Sequence, residues 1–335
     1  MKRFLVVTLV IVAVVGLLLS GCGNKGGSSK GGQLKFAVMG KSVHPYWHEV
    51  ELGTQAAAKD LRVDVTFYVP QKEDSNAQVS RLESFIASGV SGIAFAASNP
   101  TSVAQSIDDA SKQSIPCVAL DTDAPNTKRI GYIGTDNYGA GKIAGETLGK
   151  ILGGKGKVAI STGSLSATNS LDRINGFKDA LKAKYPNITT ITLPADKEDS
   201  SVAQSAAESA LLANPDLSAF YGVYAINGPA CAKAVQDAGK AGKVHVVCFD
   251  TTADHMKFIK AGVIDATVGQ RPYMMGYKSV EFLKKAKTEG VDKALADMKF
   301  DKAKKLDTGV DVVTKASVEQ YRAELKKMGI PVSGW

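Results

Sequence analysis

The chain has 335 residues, enough for two domains of ordinary size after an N-terminal targeting segment. Lysine and arginine number 41 against 33 acidic residues, a net charge of +8. In the Lys-rich stretch 281–327, however, the lysines are interleaved with aspartate and glutamate, as on a solvated surface rather than a nucleic-acid interface. Three cysteines follow Cys22, namely Cys117, Cys231 and Cys248, so at least one must be unpaired. They lack CxxC spacing, and they are expected to be small core residues more than a redox or metal site.

The first 22 residues have the pattern of a lipoprotein targeting signal. Lys2 and Arg3 precede an apolar run over 4–19, and Leu19-Ser-Gly-Cys22 matches the lipobox of bacterial lipoproteins. A transmembrane helix is the alternative, but the run is short for one and ends in small residues. We predict a signal peptide over 1–21, lipidation of Cys22 and a flexible tether over 22–32. The protein is then anchored outside the cytoplasm, to the cell membrane or, with two membranes, in the periplasm.

Apolar strand patterns alternate with helical patterns along the rest of the chain. Strands are predicted at 34–39, 63–69, 92–96, 117–121 and 130–134, then at 157–161, 189–193, 219–221, 244–250 and 265–269. Helices are predicted at 46–60, 76–88, 102–112, 138–152, 172–184, 201–213, 229–238 and 253–261. This alternation predicts two α/β lobes with parallel sheets, which meet near Thr135-Asp-Asn137.

Ligands of open parallel sheets bind beyond the carboxyl ends of the strands, so the residues that follow each strand are the candidates for a site. His44-Pro-Tyr-Trp47 follows the first strand, and Pro45 suits the first turn of a helix. Tyr46 and Trp47 could be ordinary core residues, but two aromatics here favour the wall of a pocket that stacks on a sugar ring. A metal site built on His44, His48 and Glu49 is the weaker alternative, because no further ligand is evident.

Carboxylate and amide side chains follow three other strands. Asp121 ends the fourth strand, Asp250 follows the run 244–249, and Gln270 follows the last strand of the second half. Two carboxylates on opposite lobes could accept hydrogen bonds from the hydroxyls of a polyol, and an amide can both donate and accept. The alternative for each aspartate is a helix cap, and for Asp250 the sequence leaves both open.

Motifs for catalysis are absent from the sequence. There is no Gly-x-Ser-x-Gly, no His-Glu-x-x-His and no phosphate-binding loop, since Lys41-Ser42 lacks the upstream glycine. Gly139, Gly141 and Gly145 do not have dinucleotide spacing and are predicted to allow close helix packing. We therefore expect no catalytic residues, no cofactor and no metal.

Several stretches together resemble the ribose-binding class of periplasmic solute-binding proteins, the receptors of sugar ABC transporters. The resemblance runs from about residue 34 to about residue 314. It is carried by His44-Pro-Tyr-Trp47, Ile115-Pro-Cys-Val-Ala-Leu-Asp121, Gly134-Thr-Asp-Asn-Tyr-Gly-Ala-Gly-Lys-Ile-Ala-Gly145, Arg173-Ile-Asn-Gly-Phe177, Asn214-Pro-Asp216, Val247-Cys-Phe-Asp250 and Ala266-Thr-Val-Gly-Gln270.

The resemblance implies two Rossmann-like lobes joined by three crossovers, the fold of a type 1 periplasmic binding protein. The crossovers fall near 135, 270 and 300, so the N-terminal lobe comprises 33–135 plus about 271–300 and the C-terminal lobe 136–270 plus about 301–335. The implied ligand-binding residues are His44, Tyr46, Trp47, Asp121, Thr122, Asn169, Arg173, Glu198, Tyr224, Asn227, Asp250 and Gln270.

The chain departs from the family where ribose-type members carry cations. Thr122 stands where an arginine is common and Leu171 where a pocket arginine aligns, leaving Asn169 and Arg173 as possible substitutes. Tyr224 stands at an asparagine position, with Asn227 nearby, and His44 replaces another asparagine. The implied ligand is therefore a pentose, hexose or related polyol other than ribose itself.

The expected function is capture of this sugar by a monomer and its delivery to an ABC permease, with no nucleic-acid partner. Presentation of a sugar or sugar-like signal to a membrane receptor is an alternative, and an extracellular sugar-active enzyme is a weaker one, because it needs paired carboxylates at catalytic separation. A related repressor is rejected, because the lipoprotein signal stands where a DNA-binding headpiece would be.

Overall fold

The computed structural model of the chain describes residues 33–330 and 332. These residues form a pair of six-stranded sheets, each covered by helices, as the sequence predicted. The predicted signal peptide, Cys22 and the tether lie outside the described residues.

The first sheet is wholly parallel and contains the first five strands and one from much later in the chain. Its order is β11-β5-β4-β3-β1-β2, with β1 Lys35–Met39, β2 Asp64–Tyr68, β3 Gly92–Phe95, β4 Cys117–Leu120, β5 Gly131–Gly134 and β11 Lys305–Asp307. Phe36 and Val38 pack into one apolar cluster, whereas Ala37 and Met39 pack into another. Both faces of β1 are thus buried, which explains its unbroken apolar sequence.

The second sheet repeats this arrangement with one antiparallel edge. Its order is β12-β10-β9-β8-β6-β7, and only the β10–β12 pair is antiparallel. The strands are β6 Lys155–Ser161, β7 Asn187–Thr192, β8 Leu217–Gly222, β9 His245–Phe249, β10 Ala266–Gly269 and β12 Asp311–Thr314. We call the first sheet with its helices the first lobe and the second sheet with its helices the second lobe.

Helices cover both sheets, and several begin at a residue suited to the start of a helix. They are α1 Pro45–Leu61, α2 Ser75–Ala87, α3 Pro100–Lys112, α4 Asn137–Ile151, α5 Thr168–Lys184, α6 Ser200–Ala213, α7 Asn227–Asp237, α8 Ala253–Ala261, α9 Pro272–Glu289, α10 Val291–Asp297 and α11 Val318–Lys327. Asp74, Asn99 and Asp199 each accept hydrogen bonds from two backbone N–H groups of the helix that follows. None of the described helices is long and apolar enough to cross a membrane.

The C-terminal region corrects the predicted lobe boundary. The chain leaves the first lobe after β5 and returns to it at α9, which packs on α1 and on strands of the first sheet. It passes to the second lobe again between Asp307 and Asp311, rather than near 300, because β11 pairs with β5. The tail also packs, since Tyr321 and Leu325 of α11 lie in the core of the second lobe.

Helix pairs approach closely at glycines. A Cβ at Gly141 or Gly145 would overlap the backbone of α5, so these two glycines allow close packing as predicted. Gly139 differs, because a Cβ there would meet the side chain of Asp136, which caps α4. In the first lobe, a Cβ at Gly53 of α1 would overlap the carbonyl oxygen of Tyr273 of α9.

The described cysteines are all in the core. Cys117, Cys231 and Cys248 are buried and unpaired, and burial raises the pKa of the Cys117 thiol to about 12. Their thiols therefore stay protonated at neutral pH, as expected for structural rather than reactive cysteines.

Replacement of Gly53 by alanine should lower the free energy of unfolding by about 1–3 kcal/mol, because α1 and α9 would have to move apart. Helix propensity acts in the other direction, since alanine is favoured over glycine by about 1 kcal/mol. Thermal unfolding measures the net effect. Gln55→Ala, an exposed change on the same helix, should leave the Tm nearly unchanged; a Gly53→Ala protein as stable as the wild type would contradict the close helix contact.

Candidate functional site

The candidate site lies between the two lobes, at the carboxyl ends of strands from both sheets. Twelve residues line one pocket there: Lys41, His44, Tyr46, Trp47, Asp121, Asn169, Arg173, Glu198, Tyr224, Ala225, Asp250 and Gln270. Ten of them belong to the set predicted from the sequence. Their contact with a ligand stays a prediction, but the structure brings them together.

Two predicted residues lie outside the pocket lining. The hydroxyl of Thr122 donates to Asp121 at 2.6 Å. The side chain of Asn227 accepts from the backbone N–H of Tyr224 at 2.9 Å and donates to Asp196 at 2.7 Å. Thr122 and Asn227 therefore position residues of the pocket instead of lining it.

The aromatic pair forms one corner of the pocket. The chain enters α1 through His44 in an extended conformation, with Pro45 in the first turn, and this places Tyr46 and Trp47 on the buried face of the helix. Their rings are nearly perpendicular, with centroids 5.2 Å apart. The hydroxyl of Tyr46 donates to Asp121 at 2.6 Å. The apolar ring faces and the carboxylate are thus held together in one corner of the pocket.

Asp121 and Asp250 approach the pocket from opposite lobes. Both have positive φ angles, 57° and 76°, an uncommon backbone conformation that often occurs at functional sites. Asp121 also accepts a hydrogen bond across the cleft from Asn169 at 3.2 Å. Asp250 accepts from Gln270 at 2.7 Å and is not the N-cap of α8, which is Thr252. The helix-cap interpretation of Asp250 was therefore wrong.

Arg173 supplies the pocket with a cation, whereas the sequence left open whether Arg173 or Asn169 replaces the arginine that aligns with Leu171. It is fully buried, with its guanidinium 4.2 Å from the ring centre of Phe249. It donates to Asn137 at 2.9 Å, to the Val223 carbonyl at 2.9 Å and to Gln270 at 2.6 Å. Leu171, at the aligned arginine position, is 38% exposed.

Lys41 is the main residue that sequence reasoning missed. Its ammonium donates to the hydroxyl of Tyr224 at 3.0 Å and lies 3.6 Å from both Glu73 and Glu198. The available signal was its place directly after β1, but lysine is seldom buried unless paired, and its acidic partners are distant in sequence. Ala225, also in the lining, carries no chemical signal of its own.

Glu198, from the second lobe, contacts residues of the first lobe. It accepts a hydrogen bond from Ser42 and lies 3.1 Å from Nε2 of His44. Burial opposes its ionisation, but the charges of Lys41 and His44 outweigh that effect and lower the pKa of Glu198. His48 is exposed beside Glu51, and no group of three potential metal ligands is found within the described residues.

Burial affects other carboxylates in the opposite direction. It raises the pKa of Asp250 to about 6, although the positive charge of Arg173 acts against it. Burial, followed by the nearby Asp250, raises the pKa of Glu49 to about 8. Burial also raises the pKa values of Glu73 and Asp196 to about 7. These four carboxyl groups therefore lose their protons at higher pH than solvated carboxyl groups do.

The unfilled space in the pocket is about 20 Å³, room for roughly one water molecule. Polar side chains fill the rest by bonding to one another across the cleft, as in the Lys41–Tyr224 and Asn169–Asp121 hydrogen bonds. A larger ligand must replace these contacts.

Comparisons with known proteins agree with this geometry. A family described as periplasmic binding protein domain matches residues 36–290. The D-allose-binding periplasmic protein of Escherichia coli is 30% identical over 83% of this chain and 90% of its own length. Two solved structures are similar in fold. GanP, a glucose-galactose binding protein of Geobacillus stearothermophilus, is 31% identical with a TM-score of 0.78, over 85% of this chain and 99% of its own.

The second is a Burkholderia graminis ABC transporter solute binding protein in complex with D-arabinose. It is 35% identical with a TM-score of 0.79, over 86% of this chain and 97% of its own. The family match covers well over half of the 335 residues. The chain therefore belongs to the periplasmic binding protein family, whose members are extracytoplasmic binding proteins rather than enzymes.

Proposed function

We propose that this chain is a lipid-anchored, extracytoplasmic receptor that captures a pentose, hexose or related polyol between its lobes and delivers it to an ABC permease. One observation carries the proposal. Two carboxylates from opposite lobes, Asp121 and Asp250, face one buried pocket that also contains an aromatic pair. The names of the similar proteins, which refer to D-allose, glucose, galactose and D-arabinose, support a sugar as the ligand.

Each region of the pocket suits one portion of a sugar. Tyr46 and Trp47 offer apolar ring faces for the C–H surfaces, while Asp121 and Asp250 accept hydrogen bonds from hydroxyls. Asn169 and Gln270 can donate and accept, and Lys41 and Arg173 add charged donors. Because the cations come from Lys41 and Arg173 rather than from positions 122 and 171, the sugar is proposed to differ from ribose.

Capture proceeds by closure of the lobes. The 20 Å³ of free space cannot admit a sugar, so the lobes must open, and the short segments near 135, 270 and 309 that connect them are where they would bend. A sugar that contacts both Asp121 and Asp250 binds the closed form better than the open one, so it shifts the population towards closure. The closed lobes would then dock on the permease, and the lipid at Cys22 would keep the receptor at the membrane.

Replacement of Asp250 by asparagine should weaken binding by about 10- to 100-fold, since a hydrogen bond to a charged group contributes about 1.5–3 kcal/mol. A thermal-shift screen with D-arabinose, D-allose, D-glucose and D-galactose identifies the sugar, which raises the Tm by mass action. Calorimetric titration then gives the affinity.

Asp237→Asn, an exposed change on α7 of the same lobe, should bind the sugar like the wild type. Unchanged affinity in the Asp250→Asn protein would place the ligand elsewhere. Failure of every monosaccharide and every disaccharide tested to raise the Tm would overturn the sugar assignment.

Stability of the ligand-free protein should fall as the pH rises from about 5 to about 8. The pKa values of Glu49, Glu73, Asp196 and Asp250 are raised, to between about 6 and about 8. Acids with raised pKa values contribute stability that is fully present below about pH 4, their unfolded range, and is lost as the pH passes their folded values. Glu198, with its lowered pKa, loses its contribution only at more acidic pH.

Glu49→Gln should reduce this decline, because it removes the carboxylate whose pKa is near 8. The measurement is the Tm at several pH values in matched ionic strength. Glu83→Gln, which changes an exposed carboxylate on α2, should keep the wild-type slope. An unaltered slope in Glu49→Gln would show that this group is not a source of the pH dependence.

A further inference from the structure

A second cavity adjoins the central pocket on its His44 side. The two share His44 and Ala225 in their linings. This outer cavity, as we call it, has a volume of about 290 Å³, more than ten times the 20 Å³ of the central pocket. Ligand pockets start at roughly 300 Å³, so the outer cavity, even without the central pocket, is close to the size of a small-ligand site.

The lining of the outer cavity combines apolar and polar groups. Pro45 from the first lobe and Ile226, Pro229 and Phe258 from the second provide apolar surface. Ser200 and Gln204 on the first turns of α6 supply a hydroxyl and an amide. Lys233, Asp254 and Lys257 also line the cavity. The C–H faces of a sugar ring can pack on the apolar groups, and its hydroxyls can bond to the polar and charged ones.

His44 stands between the two cavities with one unused polar atom. Its Nε2 lies 3.1 Å from Glu198, whereas its Nδ1 is buried and has no hydrogen-bond partner. Buried polar atoms normally have a partner, so an unpaired one beside a cavity indicates where a ligand atom could bind. A ligand that passes His44 from one cavity to the other would bring an oxygen to this nitrogen.

Another groove, lined by residues of both lobes, is less suited to extend the central pocket. It is larger, about 670 Å³, and is lined by Glu73, Ser98, Leu165 and Lys197 among others. It shares no lining residue with the central pocket. Continuity therefore favours the outer cavity.

We infer that the natural ligand has two rings, a disaccharide or a glycoside, with one sugar ring in the central pocket and the second ring in the outer cavity. This inference rests on the proposed function, because it requires a sugar in the central pocket. The link between the rings passes His44. Its glycosidic oxygen accepts a hydrogen bond from Nδ1 when that nitrogen is protonated, and a hydroxyl beside the link donates one to Nδ1 when it is not.

Calorimetric titration with matched sugars tests the inference. The probes are D-glucose with cellobiose and maltose, and D-galactose with lactose and melibiose. At least one disaccharide should bind ten times more tightly than its component monosaccharide. Gln204→Trp, which fills the outer cavity from a half-buried position on α6, should reduce that ratio at least tenfold. Leu165→Trp places the same ring in the larger groove that shares no residue with the central pocket, and it should leave the ratio unchanged.

The outcomes separate this inference from the proposed function. Binding of monosaccharides with no binding of any disaccharide overturns the two-ring ligand and keeps the sugar receptor. A disaccharide ratio that Gln204→Trp leaves intact, or that Leu165→Trp reduces equally, overturns the outer cavity as the second-ring site. If no sugar of either size binds, the sugar receptor itself is wrong, and the inference fails with it.

Discussion

The buried guanidinium of Arg173 is the interaction on which the geometry of the pocket depends. Its three hydrogen bonds reach Asn137 at the start of α4, Val223 after β8 and Gln270 after β10. Two of these partners stand beside the segments where the chain passes between the lobes. Gln270 in turn donates to Asp250. One side chain of α5 therefore fixes the Asp250 carboxylate relative to the segments that connect the lobes, and a buried arginine keeps its charge while doing so.

Much of the fold and the site could be predicted, because both depend on the ends of buried parallel strands. The strand patterns are continuous apolar runs, and the chemistry follows each run, as with Asp121 after β4 and Gln270 after β10. The aromatic stretch after β1 was predictable for the same reason. Two strands and three helices beyond residue 270 were not assigned. Both missed strands have only three or four residues, and charged residues interrupt the apolar pattern in that region of the sequence.

Lys41 shows why the rest of the site could not be predicted. A lysine after a strand is ordinarily solvated, and it is buried here only because Glu73 and Glu198, from opposite lobes, lie close to it. Such a pairing is a tertiary fact with no local pattern. The prediction that Asn227 lines the pocket failed for the converse reason. Its amide suits a polar ligand and it lies near the pocket, but it bonds to the backbone of Tyr224 and to Asp196.

The closed cleft also shows how a receptor of this kind can be selective. Many of its polar groups already bond to one another, since Asp121 bonds to Tyr46 and Asn169, and Lys41 bonds to Tyr224. In this pocket a ligand hydroxyl adds affinity where it replaces one of these bonds, because a buried polar group left without a partner costs about 1–3 kcal/mol. A sugar with one hydroxyl in the wrong orientation breaks a contact without restoring it. Discrimination therefore follows from the stereochemistry of the replaced bonds more than from the area that the ligand buries.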